Sequence, residues 1–115
     1  MRTIDDVTLR SNDRQAIELA ARALREQFPV EEIILFGSKA RGTDDEESDF
    51  DLLVLTSREI SWRESDTITT ALYPIQLDCE VAISTLILSK TEWTEGPYFV
   101  LPIYDEIKRD GTAVC

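Results

Sequence analysis

Apolar residues recur along this chain with two different periods, and the changes of period divide it into elements. Over residues 13–28, DRQAIELAARALREQF, Ile17, Ala20, Ala21, Leu24 and Phe28 fall at three- and four-residue steps, and Ser11, Asn12 or Asp13 offers an amino-terminal cap. This is the spacing of an amphipathic helix, and Pro29 ends it. The run Ile33 to Phe36 stops at Gly37 and is too short for a helix, so it reads as a buried strand. A loop follows, KARGTDDEES, with Gly42 and the four acids Asp44 to Glu47. Residues 49–56, DFDLLVLT, predict a second strand whose apolar half is buried on both faces.

Beyond it, Ile60, Glu64, Ile68 and Leu72 form one stripe over residues 57–75 and predict a helix ending before Pro74. Residues 76–88, QLDCEVAISTLIL, are rich in β-branched side chains and predict a third strand with a break near Ser84. The last part, TEWTEGPYFVLPIYDEIKRDG, predicts two short helices, the second capped by Gly111 and bent or delayed at Pro102. The expected fold is α/β (α+β), a single domain over 1–115 with a small mixed sheet and helices packed on one side.

Charge narrows the function. Lys plus Arg number 12 against 23 Asp plus Glu, a net charge of −11. That balance excludes holding duplex nucleic acid by neutralising phosphates, and it suits a basic partner or a metal ion. Histidine is absent, so chemistry must run on carboxylates, hydroxyls, thiols or amines. Cys79 and Cys115 cannot build a disulfide framework, no apolar run approaches the length of a membrane span, and the first residues lack the apolar stretch of a secretory signal. The cytoplasm is the expected location, with no membrane attachment. Trp62 and Trp93 are expected to anchor packing, Cys79 to lie in the core, and the acids Asp44 to Glu47 to face solvent.

The candidate chemistry lies in GSKARGTDDEESDFD, residues 37–51. Asp49 and Asp51 are separated by one residue on a strand, where alternation sends both carboxylates to the same face. Two such charges need a neutralising partner, and oxygen ligands at this spacing favour Mg²⁺. Gly37 and Ser38, at the end of the preceding strand, form a turn whose backbone and hydroxyl can hold phosphate oxygens, with Lys39 and Arg41 beside them. A phosphate-holding turn and a metal-holding carboxylate pair on adjacent strands are the parts needed to transfer a phosphoryl or nucleotidyl group.

The pattern G-S-x-A-R-G, five residues, then S-D-x-D and apolar residues resembles the signature of the nucleotidyltransferase fold of the DNA polymerase beta superfamily, in its small stand-alone members. Gly37, Ser38, Ala40, Arg41, Gly42, Ser48, Asp49 and Asp51 carry the match. The segments LDCEVAISTLILSKTEW and PIYDEIKRDGTAV are similar to the third strand and the ending of that family. The resemblance implies a third carboxylate on that strand, which falls on Glu80, with Asp78 as the alternative two residues earlier. It implies a site in which Mg²⁺, as two ions, is held by Asp49, Asp51 and Glu80, and a nucleoside triphosphate, ATP first, by Gly37, Ser38, Arg41 and Ser48. It further implies an acceptor hydroxyl on a partner protein such as a HEPN ribonuclease toxin, with this chain as antitoxin. A module that neutralises the toxin by binding alone is the competing reading. Because the chain offers no separate acceptor-binding element, it is expected to work with a second chain or as a homo-oligomer.

Overall fold

The computed structural model describes residues 2–4, 9, 11–37 and 49–114. The two most apolar runs become neighbouring strands at the middle of a mixed sheet: β2, Val30–Phe36, and β3, Phe50–Thr56. They pair antiparallel with Ile34 opposite Leu53 and Phe36 opposite Asp51. On the far side of β3, β4, Ile83–Ser89, runs parallel to it with Asp51 in register with Ser84 and Leu53 with Leu86. On the far side of β2 come β5, Thr112–Val114, antiparallel to β2, and β1, Arg2–Thr3, parallel to β5, so the strand order is β1-β5-β2-β3-β4. β1 and β5 escape the sequence reading because two- and three-residue strands carry too few positions to show a period.

Side-chain alternation splits the interior in two. Phe50, Leu52 and Val54 of β3 join Ile33 and Leu35 of β2 beneath Ile17, Ala20 and Leu24 of α1, Ser11–Gln27, and Ile68 of α2, Trp62–Ala71. Cys79, the last residue of α3, Tyr73–Cys79, closes that layer and is buried as expected. Leu53 and Leu55 point the other way, with Ile34, Phe36 and Leu88, against Trp93 of α4, Lys90–Glu95, and Ile107 of α5, Pro102–Asp110. Helices therefore cover both faces rather than one. A strand that is apolar on both sides, as β3 is, requires that second cover. Truncating Leu53, fully buried in the second layer, tests it: Leu53→Ala is expected to cost about 3 kcal/mol of stability in denaturant unfolding.

The region 57–89 departs most from expectation. α2 ends at Ala71, before Pro74 as expected, but Pro74 then stands in the first turn of a new helix, where its missing N–H is harmless. The helix α3 then takes residues read as the start of a strand, and Glu80, left-handed at φ 55°, ends it. β4 begins only at Ile83 and continues unbroken past Ser84. Pro102 likewise opens α5 rather than bending it, after a short 3₁₀ turn at Pro97–Val100. Trp93 packs against Tyr104, whereas Trp62 is 75% exposed, so only one of the two tryptophans anchors packing. Cys115 lies outside the described residues. Among the described residues no helix is long and apolar enough to cross a membrane.

The start of α2 shows how local polar chemistry fixes a boundary. The Ser61 side chain accepts from the Glu64 N–H at 3.2 Å, and Glu64 accepts from the Ser61 N–H at 3.3 Å, a reciprocal cap. Arg58 Nη2 donates to Glu64 Oε2 at 2.6 Å, and that bond, seconded by the Ser61 N–H, holds the Glu64 carboxyl down to about 2 from 4.5. A lowered carboxyl stabilises the fold fully above its unfolded value, and the contribution fades as pH falls from about 4.5 to about 2. The pair is exposed, so its effect is small and falls with salt. A carboxyl NMR titration is expected to place Glu64 near 2 and to move it toward 4.5 in Arg58→Ala.

Candidate active site

Where β2 ends and β3 begins, two sequence-distant groups meet. Phe36 is paired with Asp51, and the next residue, Gly37, is buried and takes φ +78°, a conformation that side-chain-bearing residues avoid. A Cβ at Gly37 would overlap Oδ2 of Asp51 and stand 3.3 Å from its Cγ. The glycine backbone is thus laid directly against the carboxylate, which only the absence of a side chain permits.

Asp51 is half-buried within β3, on the face of Leu53 and Leu55. Asp49 is exposed and sits one residue before the strand, while Phe50 between them is buried on the opposite face and anchored by its N–H to the Ala82 carbonyl at 2.9 Å. β3 is flanked by β2 and β4, so its carboxylates do not guard a sheet edge. Ser38, Lys39, Arg41 and Ser48, together with the acids Asp44 to Glu47, lie outside the described residues.

Glu80 and Asp78 are not strand residues. Asp78 belongs to α3 and Glu80 caps its end, three residues before β4 opens, so the two do not share a strand face. β4 itself, ISTLILS, carries no carboxylate, and the residue in register with Asp51 is Ser84. Among the described residues no three His, Cys, Asp or Glu side chains gather into a metal-holding group. Sequence reasoning missed Ser84 because its place depends on where β4 starts; the one signal available was the lack of any acid from Val81 to Ser89.

The model of the family described as nucleotidyltransferase domain matches residues 17–94, from α1 to α4 and through the whole of this site. The chain belongs to that family. It is an enzyme of the nucleotidyltransferase kind. A Methanocaldococcus jannaschii protein named as a protein adenylyltransferase is 34% identical over 85 residues, 74% of this chain and 79% of that protein. Two solved structures share the fold of this nucleotidyltransferase at low sequence identity. One is a toxin–antitoxin structure with AMP-PNP, with TM-score 0.60 and 16% identity over 84% of this chain and 70% of that one. The other is a tri-AMPylated Shewanella oneidensis HEPN toxin in complex with MNT antitoxin, with TM-score 0.57 and 14% identity over 87% and 69%.

The donor set of this nucleotidyltransferase fits a hard cation. Asp49 and Asp51 supply only oxygen, and the absence of a side chain at Gly37 lets the Asp51 carboxylate keep its place against the turn, where a Cβ would overlap it. One or two carboxylates, with water and phosphate oxygens for the remainder, are what Mg²⁺ accepts.

Proposed function

We propose that this nucleotidyltransferase transfers AMP from ATP to a hydroxyl on a partner protein, and that the partner is a HEPN-type ribonuclease toxin for which the chain is the antitoxin in the cytoplasm. The observation that carries the chemistry is the apposition of the Gly37 turn and the Asp51 carboxylate. Support for the acceptor class comes from the archaeal relative's naming and from the AMPylated toxin held by a protein of this fold. The net charge of −11 suits an RNA-cutting, basic partner.

In this reading Asp49 and Asp51 hold Mg²⁺, and Gly37 with Ser38 places the triphosphate so that its α-phosphorus faces the acceptor hydroxyl, with Arg41 and Ser48 as further contacts. The hydroxyl gives its proton to a carboxylate of the site, its oxygen bonds to the α-phosphorus, the bond from that phosphorus to the oxygen bridging to the β-phosphate breaks, and pyrophosphate departs. Bound Mg²⁺ would neutralise charge on the phosphates and the departing oxygen. Glu80, the third carboxylate of the family resemblance, enters this proposal from the end of α3 rather than from β4.

The test is transfer of label from α-³²P-ATP to a co-purified HEPN partner, with and without Mg²⁺, for the wild type, Asp51→Asn and Glu80→Gln. Label on the toxin that vanishes in Asp51→Asn supports the proposal. The lack of a carboxylate beside Asp51 on β4 favours a second reading, a module that silences its partner by binding alone. Neutralisation that survives Asp51→Asn, with no label transferred by the wild type, would establish that one instead.

A further inference from the structure

The face that carries Asp51 is covered unevenly. Along β4 on that face Leu88 is buried, Leu86 is half-buried and Ser84 is exposed, so the cover of Trp93 and Ile107 gives out one row before Asp51 is reached. The front row of the sheet on this side reads Phe36, Asp51, Ser84. Neighbouring strands stand about 4.8 Å apart, so Asp51 has one side chain at that spacing on each flank. Phe36 is buried and has no polar atom. Ser84 is exposed, points to the same side as Asp51, and carries a hydroxyl that can both donate and accept.

We infer that Ser84 is a substrate-contacting residue of this site: its hydroxyl hydrogen-bonds a phosphate oxygen of the nucleoside triphosphate, or a water on the Mg²⁺ that accompanies it, at the flank of Asp51 that Gly37 does not occupy. The inference rests on the nucleotidyltransferase reading above. It follows from three features together. Any ligand of Asp51 must lie on this face, because the strand turns the carboxylate nowhere else. Along β4 the apolar cover stops short of this row, leaving Ser84 reachable although Phe36 in the same row is buried. No carboxylate stands on β4 to take the role, since Glu80 ends a helix upstream of the strand. β4 then contributes a hydroxyl beside Asp51 where the family resemblance implied a carboxylate on that strand.

The experiment is calorimetric titration of ATP, at fixed saturating Mg²⁺, into the full chain as wild type, Ser84→Ala, Ser84→Thr and Asp51→Asn. A lost hydrogen bond to a charged oxygen is worth a factor of about 10 in affinity, so Ser84→Ala is expected to weaken ATP by about that much, and Ser84→Thr, which restores the hydroxyl, to stay within about twofold of wild type. Thermal melting of the variants is expected to coincide, because Ser84 is exposed. Equal affinities of wild type and Ser84→Ala, beside a weakened Asp51→Asn, would overturn the role of Ser84 and leave the site standing. Tight wild-type binding unaffected by Asp51→Asn would overturn the reading of the site itself.

Discussion

Asp51→Asn is expected to remove nucleotidyl transfer, lowering kcat/KM by on the order of 10³-fold or more while leaving the melting temperature within a few degrees of wild type. The two halves of that expectation have different origins. Asn keeps the shape of Asp, and the position is half-buried between paired strands, so the sheet keeps its register. What is lost is a negative charge at the place where the Gly37 backbone lies against the carboxylate. In the proposed mechanism cation binding and alignment of the α-phosphorus both depend on it, and the loss is expected to fall on kcat as well as KM because charge builds up in the transition state. Retention of more than a tenth of the wild-type rate in a properly folded Asp51→Asn would refute the assignment. Glu80→Gln is the companion measurement: a residue off β4 is expected to cost much less than Asp51.

The distance between sequence and structure is uneven, and the unevenness has physical causes. The long helix and the two central strands were legible because each repeats one period over enough residues to outweigh chance, and the candidate carboxylates stood out because they lie within three residues where one of those strands opens, Asp51 on it and Asp49 just before it. The Gly37 turn was legible as a glycine between a strand and a loop, although nothing local says which carboxylate it faces; that follows from the pairing of Phe36 with Asp51. Residues 76–82, expected to open the third strand, instead finish α3 and its cap, for a related reason. Apolar residues alternate across the boundary between α3 and β4, at Leu77, Cys79, Val81 and Ile83, and the boundary is set by a left-handed cap at Glu80, a non-glycine residue that gives no warning of φ 55°. The third carboxylate was therefore sought on a strand that had not yet begun. The second helical layer was overlooked because α4 and α5 are short, each committing one buried side chain, Trp93 or Ile107, to the core.

Gly37→Ala is expected to be nearly as damaging to activity as the loss of Asp51, for a different reason. The added methyl group meets two obstacles at once: a φ of +78°, which costs an alanine about 1–2 kcal/mol, and the Oδ2 atom of Asp51 in the volume where the Cβ must go. The strands cannot easily part to relieve the overlap, because Leu35 and Phe36 are locked to Leu52 and Asp51 by the β2–β3 ladder. The carboxylate must therefore turn away, and displacing a reacting group by about 1 Å is enough to cost about 10²-fold in rate. Stability should fall by the strain alone, a drop in melting temperature on the order of 5–10 °C. Gly37→Asn separates the two effects. Asparagine tolerates positive φ better than alanine and carries the same Cβ, so it should recover part of the stability and none of the activity. If Gly37→Asn regained activity along with stability, backbone strain alone would explain the glycine, and its close approach to Asp51 would have no part in catalysis.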